Sequence, residues 1–288
     1  MKRKLSFVVG QYPHLQPLRN GKIQSDLIAP EFIDFPAVGR AFNAMLEDQR
    51  YDVCEMALVA FLQAVERSVP VRMLPLVTLG GFVHQGIFFR PAAGGLSPYA
   101  LSGKRIGVRS YSQTTGVWAR ALLEEQFGLE IKASTWVTTD DAHVRGFVDP
   151  PHVRNLGTKG PVQELLANGT VDAAILHPTH KPAADFAPLI GDAARASARW
   201  FGAHQSVPVN HVICVGPVVW SDPRLVEELY SVLAASYRAA GVPAADDRDP
   251  VSYDAPRIAR AIKLVSAFAA DQGLIGRDLD MSKAVLGP

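Results

Sequence analysis

Short apolar runs alternate with amphipathic stretches along the whole chain, the pattern of strands feeding helices. Residues 5–9 form an apolar run short enough for a buried strand. Residues 37–49 place Val38, Ala41, Phe42 and Met45 at helical spacing, which predicts an amphipathic helix. A strand over 52–56, a helix over 57–67 and a strand over 71–79, stopped by Gly80-Gly81, follow. A Gly-, Ala-, Ser- and Pro-rich link at 92–98 comes after a crossover strand at 86–90. The strand 105–109, the polar turn 110–116 and the helix 117–127 open a second unit, which continues through a helix at 161–167 and a strand at 171–176. An extended return at 207–215 and helices at 222–240 and 256–272 complete the chain. Strand-helix alternation of this kind predicts an α/β protein with mostly parallel sheets. Two crossings divide it into lobe one, residues 1–86 plus 212–288, and lobe two, residues 87–211.

Composition narrows the partners. The chain has 288 residues, 48% hydrophobic and 20% charged, with a formal net charge of +1. That is ordinary globular usage, and it supplies no field to attract nucleic acid or an anionic membrane. A small molecule suits it better; self-association into a homo-oligomer is left open. The basic start Met1-Lys2-Arg3-Lys4 is followed by too short an apolar run for a secretory leader, and no stretch is long enough to span a bilayer. Cys54 and Cys214 both lie in apolar runs and read as buried free thiols. The expected location is cytoplasmic.

Several segments carry a family resemblance. They are the opening Tyr12-Pro13-His14-Leu15-Gln16-Pro17-Leu18-Arg19-Asn20-Gly21-Lys22-Ile23, the strand Asp52-Val53-Cys54-Glu55-Met56-Ala57, the stretch Gly103-Lys104-Arg105-Ile106-Gly107-Val108-Arg109-Ser110-Tyr111 running on to Val117-Trp118-Ala119-Arg120, and Val207-Pro208-Val209-Asn210-His211. Together these resemble the 4,5-dihydroxyphthalate decarboxylases. The resemblance implies the two-lobed type II periplasmic-binding-protein-like fold, with two crossovers between lobes and the ligand in the cleft. It also implies substrate-binding roles for Tyr12 and His14. Two departures stand out. His14 occupies a position where the family usually has arginine, and Gly80-Gly81-Phe82-Val83-His84 replaces an arginine-rich Ser-Arg-x-Phe-Arg-His stretch. Arginine grips carboxylates with two parallel hydrogen bonds, so its loss argues against a substrate with two adjacent carboxylates.

Non-oxidative decarboxylation of a hydroxylated aromatic, phthalate-like acid needs a proton donor for the ring carbon, an acceptor for a phenolic proton and a grip on the carboxylate. Histidine suits proton delivery. His84 at a strand end, His211 on the return segment and His177 after the last strand of lobe two are the candidates, each with a structural histidine as the plainer alternative. Glu55 sits among Val53, Cys54 and Met56, where a carboxylate is either functional or ion-paired. Arg109, Ser112, Thr114 and Thr115 form a candidate carboxylate cradle at a loop-to-helix junction, with helix capping as a compatible role. Tyr111 and Trp118 are candidates for stacking on the ring.

Eight histidines are present without any metal-binding spacing. No cofactor is expected; the alternative is a divalent ion held by His84, His177, His211 and Glu55. Three functions remain in play: a decarboxylase of an aromatic acid, a non-catalytic small-carboxylate-binding protein, and another cytoplasmic enzyme on the same fold. Fold by itself does not choose among them.

Overall fold

The computed structural model describes residues 2–176, 182–244, 248–277 and 279–287. The chain forms two units. The first takes residues 1–81, 206–266 and 275–288; the second takes 82–205 and 267–274.

The first unit is built on a five-stranded sheet of β1 (Arg3–Val8), β2 (Ile28–Phe32), β3 (Val53–Ala57), β4 (Arg72–Gly80) and the late return strand, Val209–Val215. The order is β2-β1-β3, then the return strand, then β4. β1 is parallel to β2 and β3, whereas the return strand is antiparallel to both of its neighbours. The parallel expectation therefore holds for the strands that helices connect and fails for the one that comes back from the other unit. All five residues of β3 are buried, because the strand is central and covered on both faces. Its start is pinned by Asp52, whose carboxylate accepts from the amide and hydroxyl of Ser6 on β1. The helix Leu58–Glu66 follows directly. The helix Pro223–Ala239 opens with Asp222 accepting from the Arg224 amide and proline in its first turn, a strong start signal. It lays Leu225, Leu229, Val232, Leu233 and Tyr237 into a core shared with Leu5, Phe7, Leu74 and Ile213. The 37–49 helix of the sequence reading is a short 3-10 turn, Val38–Ala41, running into the α-helix Phe42–Asp48.

The second unit has a six-stranded sheet of β5 (Ile87–Phe89), β6 (Arg105–Val108), β7 (Thr135–Thr138), β8 (Val153–Asn155), β9 (Ala173–Ile175) and β10 (Ala187–Pro188), in the order β10-β5-β9-β6-β7-β8. β9, β6, β7 and β8 are parallel; β5 runs against both neighbours. The helix Thr114–Phe127 follows β6 and stops at Gly128, which takes the left-handed conformation that ends helices. With the return strand now in its place, Val209–Val215 is β11.

The unit bounds differ from those read in the sequence, and the reasons are packing ones. Residues 206–211 count with the first unit because β11 is laid between β3 and β4. Residues 82–86 count with the second, where His84 meets Trp200 of the helix Ala193–His204. Residues 267–274 also join the second unit: Phe268 packs on Trp118 and Trp200, and Gln272 binds Arg120. Among the described residues no helix is long and apolar enough to cross a membrane.

Candidate active site

Polar side chains gather in the first unit where β1 and β3 end and β11 begins. Glu55 lies on β3, fully buried. β11 is antiparallel to β3 with Ile213 opposite Glu55 and His211 opposite Ala57. His211 therefore sits two positions along from Glu55 on the same face, a diagonal neighbour within reach of long side chains. The pairing of β11 with β4 shifts register around His211, an irregularity that turns side chains locally and recurs beside functional sites.

The result is a three-donor carboxylate. Glu55 Oε1 accepts from His211 Nδ1 at 2.6 Å and from the Tyr12 hydroxyl at 2.8 Å, while Oε2 accepts from the Gly10 amide at 2.8 Å. Burial pushes the Glu55 carboxyl up, but the His211 bond and charge, the Gly10 amide and the Tyr12 hydroxyl outweigh it and hold the group below its usual range. Burial beside this charge pushes the Tyr12 hydroxyl and the neighbouring Cys54 thiol upward, so both stay protonated. The His211 ring is partly exposed and packs edge-on against Phe42. With Nδ1–H committed to Glu55, the ring nitrogen left for chemistry is Nε2.

Tyr12 is held from both sides. Its ring stacks on His14 with centroids 5.2 Å apart, and His14 in turn meets Tyr237 edge-on at 4.6 Å. Burial lowers the His14 imidazole to about 4, against the pull of Glu55 and Asp249, so it is neutral at pH 7. On its other side the Tyr12 ring occupies the space a side chain at position 10 would need. A Cβ there would lie 2.4 Å from Tyr12 Cε2 and 2.6 Å from Cζ, so only glycine gives both the amide and the ring their places. A cavity of about 460 Å³, lined by Val8–Tyr12 and by Asp34, Phe35, Pro36 and Val38, opens beside Gly10 and Tyr12.

The other candidates lie elsewhere. His84 is fully buried in the second unit between Phe82 and Trp200, and burial lowers it to about 4 against the opposing pull of the neighbouring Gln126 side chain. Arg109 is exposed, and its guanidinium binds Asp140 at 3.2 Å and His143 Nε2 at 3.2 Å. The expected stacking platforms are core residues. Trp118 is buried edge-on to Trp200 and Phe268, and Tyr111 is buried under the Arg120 guanidinium. Ser112, Thr114 and Thr115 do cluster at the start of the helix Thr114–Phe127, where Gln113 rather than Ser112 is the N-cap. His177 lies outside the described residues. Among the described residues no group of three or more metal-ligating side chains comes together.

Sequence reasoning missed Gly10 and Arg120. Arg120 is flanked by Val117-Trp118-Ala119 and Ala121-Leu122-Leu123, the same charge-in-an-apolar-run signal that singled out Glu55.

The fold is that of the periplasmic-binding-protein-like class. The alkanesulfonate-binding protein SsuA from Xanthomonas axonopodis pv. citri, solved bound to MOPS, matches with a TM-score of 0.56 at 14% identity, covering 99% of this chain and 98% of that one. No family model matches. In sequence the chain is similar to a Comamonas testosteroni protein named 4,5-dihydroxyphthalate decarboxylase, 28% identical over 238 residues, 74% of this chain and 68% of the relative. A Pseudomonas putida protein of the same name is 34% identical over 168 residues, 58% of this chain and 62% of the relative, so less than two thirds of that relative is matched. These relatives bear out the resemblance read from the motifs.

Proposed function

We propose that this protein is a carboxy-lyase that releases CO₂ from a hydroxylated aromatic, phthalate-like acid, with His211 as the proton-transfer group and Glu55 as its partner. The observation that carries this is the Glu55 carboxylate, buried and held by His211, Tyr12 and Gly10. The curated relatives named as decarboxylases support the reaction class.

The chemistry balances without an oxidant. Protonated His211 donates from Nε2 to the ring carbon that bears the carboxylate, forming a C–H bond. The C–C bond then breaks, its electron pair returns to the ring, and CO₂ leaves. A ring hydroxyl supplies the electron density that makes this carbon basic. Glu55 keeps its charge throughout: it fixes the tautomer of His211 and stabilises the imidazolium without taking the proton itself. His211 regains its proton from solvent. His84 stands outside this path. It is buried among aromatic rings and lowered to about 4, so at neutral pH it is the neutral imidazole and not the imidazolium acid the step needs.

The test is to incubate the purified protein with a panel of hydroxybenzoates and hydroxyphthalates and measure CO₂. Release by the wild type, reduced at least ~100-fold in His211→Asn, is the expected result. Tight binding of such an acid with no CO₂ from any of them would make the protein a carboxylate binder instead.

A further inference from the structure

The second unit carries a cation that the proton-transfer chemistry does not use. Arg120 is completely buried, midway along the helix Thr114–Phe127. Its Nε donates to Gln272 Oε1 at 2.7 Å and its Nη2 to the Tyr111 carbonyl at 2.6 Å. Its guanidinium carbon lies 3.9 Å from the Tyr111 ring centroid and 5.1 Å from that of Trp136. All of these partners are neutral. Tyr111 and Asp149 exert some attraction, but neither Nη1 nor the buried Asp149 Oδ1 has a hydrogen-bond partner among the described residues. A buried guanidinium with an unpartnered nitrogen is costly to keep.

The direction of Nη1 gives the cost a purpose. A Cβ added to Gly116 would lie 3.3 Å from Nη1, so the unpartnered nitrogen reaches the first turn of its own helix. That turn follows the polar segment Ser110–Thr115, in which Ser110, Ser112, Thr114 and Thr115 are all buried and Gln113 makes no side-chain cap. The amides of a helix start already favour an anion, and a fixed cation beneath the same turn adds to that field in a place where water screens little. Arg109, the charge that sequence spacing suggests for this cradle, is spent on Asp140 and His143.

We infer that the turn Ser110–Gly116 is a carboxylate-binding site whose charge comes from Arg120, acting from within the unit rather than by direct contact. Only the choice of a carboxylate as the anion rests on the proposed reaction; the site itself rests on the buried guanidinium and the helix start.

Benzoate and its neutral analogue benzamide probe the charge directly. Calorimetry on the whole protein should show benzoate bound at least ~10-fold more tightly than benzamide. Arg120→Met should erase that preference and leave benzamide affinity unchanged, and Arg120→Lys should keep most of it. A merely structural role would weaken both probes together. Should Arg120→Met fail to fold, the double variant Ser112→Ala with Thr115→Val leaves the guanidinium and its partners alone and should lose benzoate affinity selectively. A folded Arg120→Met that still prefers benzoate, an unaffected Ser112/Thr115 double variant, or a wild type without the preference overturns the site. Charge-selective binding without CO₂ release would sink the decarboxylase reading and leave the site standing; CO₂ release without charge selectivity would do the reverse.

Discussion

Glu55 Oε1 and His211 Nδ1 stand 2.6 Å apart, joined from diagonal positions on neighbouring antiparallel strands. One atom thus serves as anchor for an imidazole whose other nitrogen stays available. The same oxygen also accepts from Tyr12, so the carboxylate is held in place by groups other than the one it orients.

This arrangement predicts how the pair fails. Glu55→Gln keeps the shape but removes the charge that stabilises an imidazolium, and it should lower kcat by ~10²–10⁴-fold. Affinity for the acid should change by less than ~10-fold, since one hydrogen bond contributes about 1 kcal/mol. Combining it with His211→Asn should cost little more than either change alone, because the two act as one unit. Steady-state kinetics of the three variants check this; full additivity would mean that they work separately.

Gly10 is predicted to matter through Tyr12. The methyl of Gly10→Ala would fall within 2.4 Å of the tyrosine ring, which must then swing off Glu55. On its own the change should reduce kcat/KM at least ~10-fold. On a Tyr12→Ala background, with the ring already gone, it should have almost no further effect, giving a large coupling in a double-mutant cycle. Equal penalties on both backgrounds would show that the backbone at position 10, and not the ring, is what alanine disturbs.

The strands and helices were legible because apolar periodicity is a local property. Val53-Cys54-Glu55-Met56 announces both a buried strand and a carboxylate that must find partners. Those partners were not readable, since they depend on the register of a strand more than 150 residues later, and one of them is a main-chain amide. The antiparallel entry of β11 was hidden for the same reason. Trp118 shows the limit from the other side. It was a candidate for stacking on a substrate ring, yet long-range packing buries it in the unit's own core.

Arg109 provides a contrast with Arg120. Its side chain is 44% exposed and its pair with Asp140 is a surface one. Arg109→Ala should therefore change stability by no more than ~1 kcal/mol and leave the preference for benzoate over benzamide intact. Chemical denaturation and calorimetry on this variant decide the point. A selective loss of benzoate would put Arg109, and not Arg120, behind the cradle.

The pH dependence of folding should carry the signature of His14. In the unfolded chain its imidazole takes a proton near the ordinary value of 6.5, whereas in the folded protein burial holds it to about 4. Between those values the unfolded state binds more protons, so stability must fall as the pH falls, beginning near 6.5 and complete near 4. At pH 5 the effect is worth roughly 2 kcal/mol. Glu55 acts in a different window. Its folded value is depressed, so its contribution is fully present above the usual carboxylate range and is lost only as the pH falls through that lowered value. It should not interfere at pH 5–7. His84 is lowered to the same level as His14 and adds a parallel loss, so removing one histidine removes only part of the slope. His14→Phe keeps a ring against Tyr12 and Tyr237 but cannot titrate. Urea denaturation at pH 7 and pH 5 should show the variant losing roughly 2 kcal/mol less than the wild type. An identical loss in both proteins would mean that His14 takes up its proton in the folded state as readily as in water.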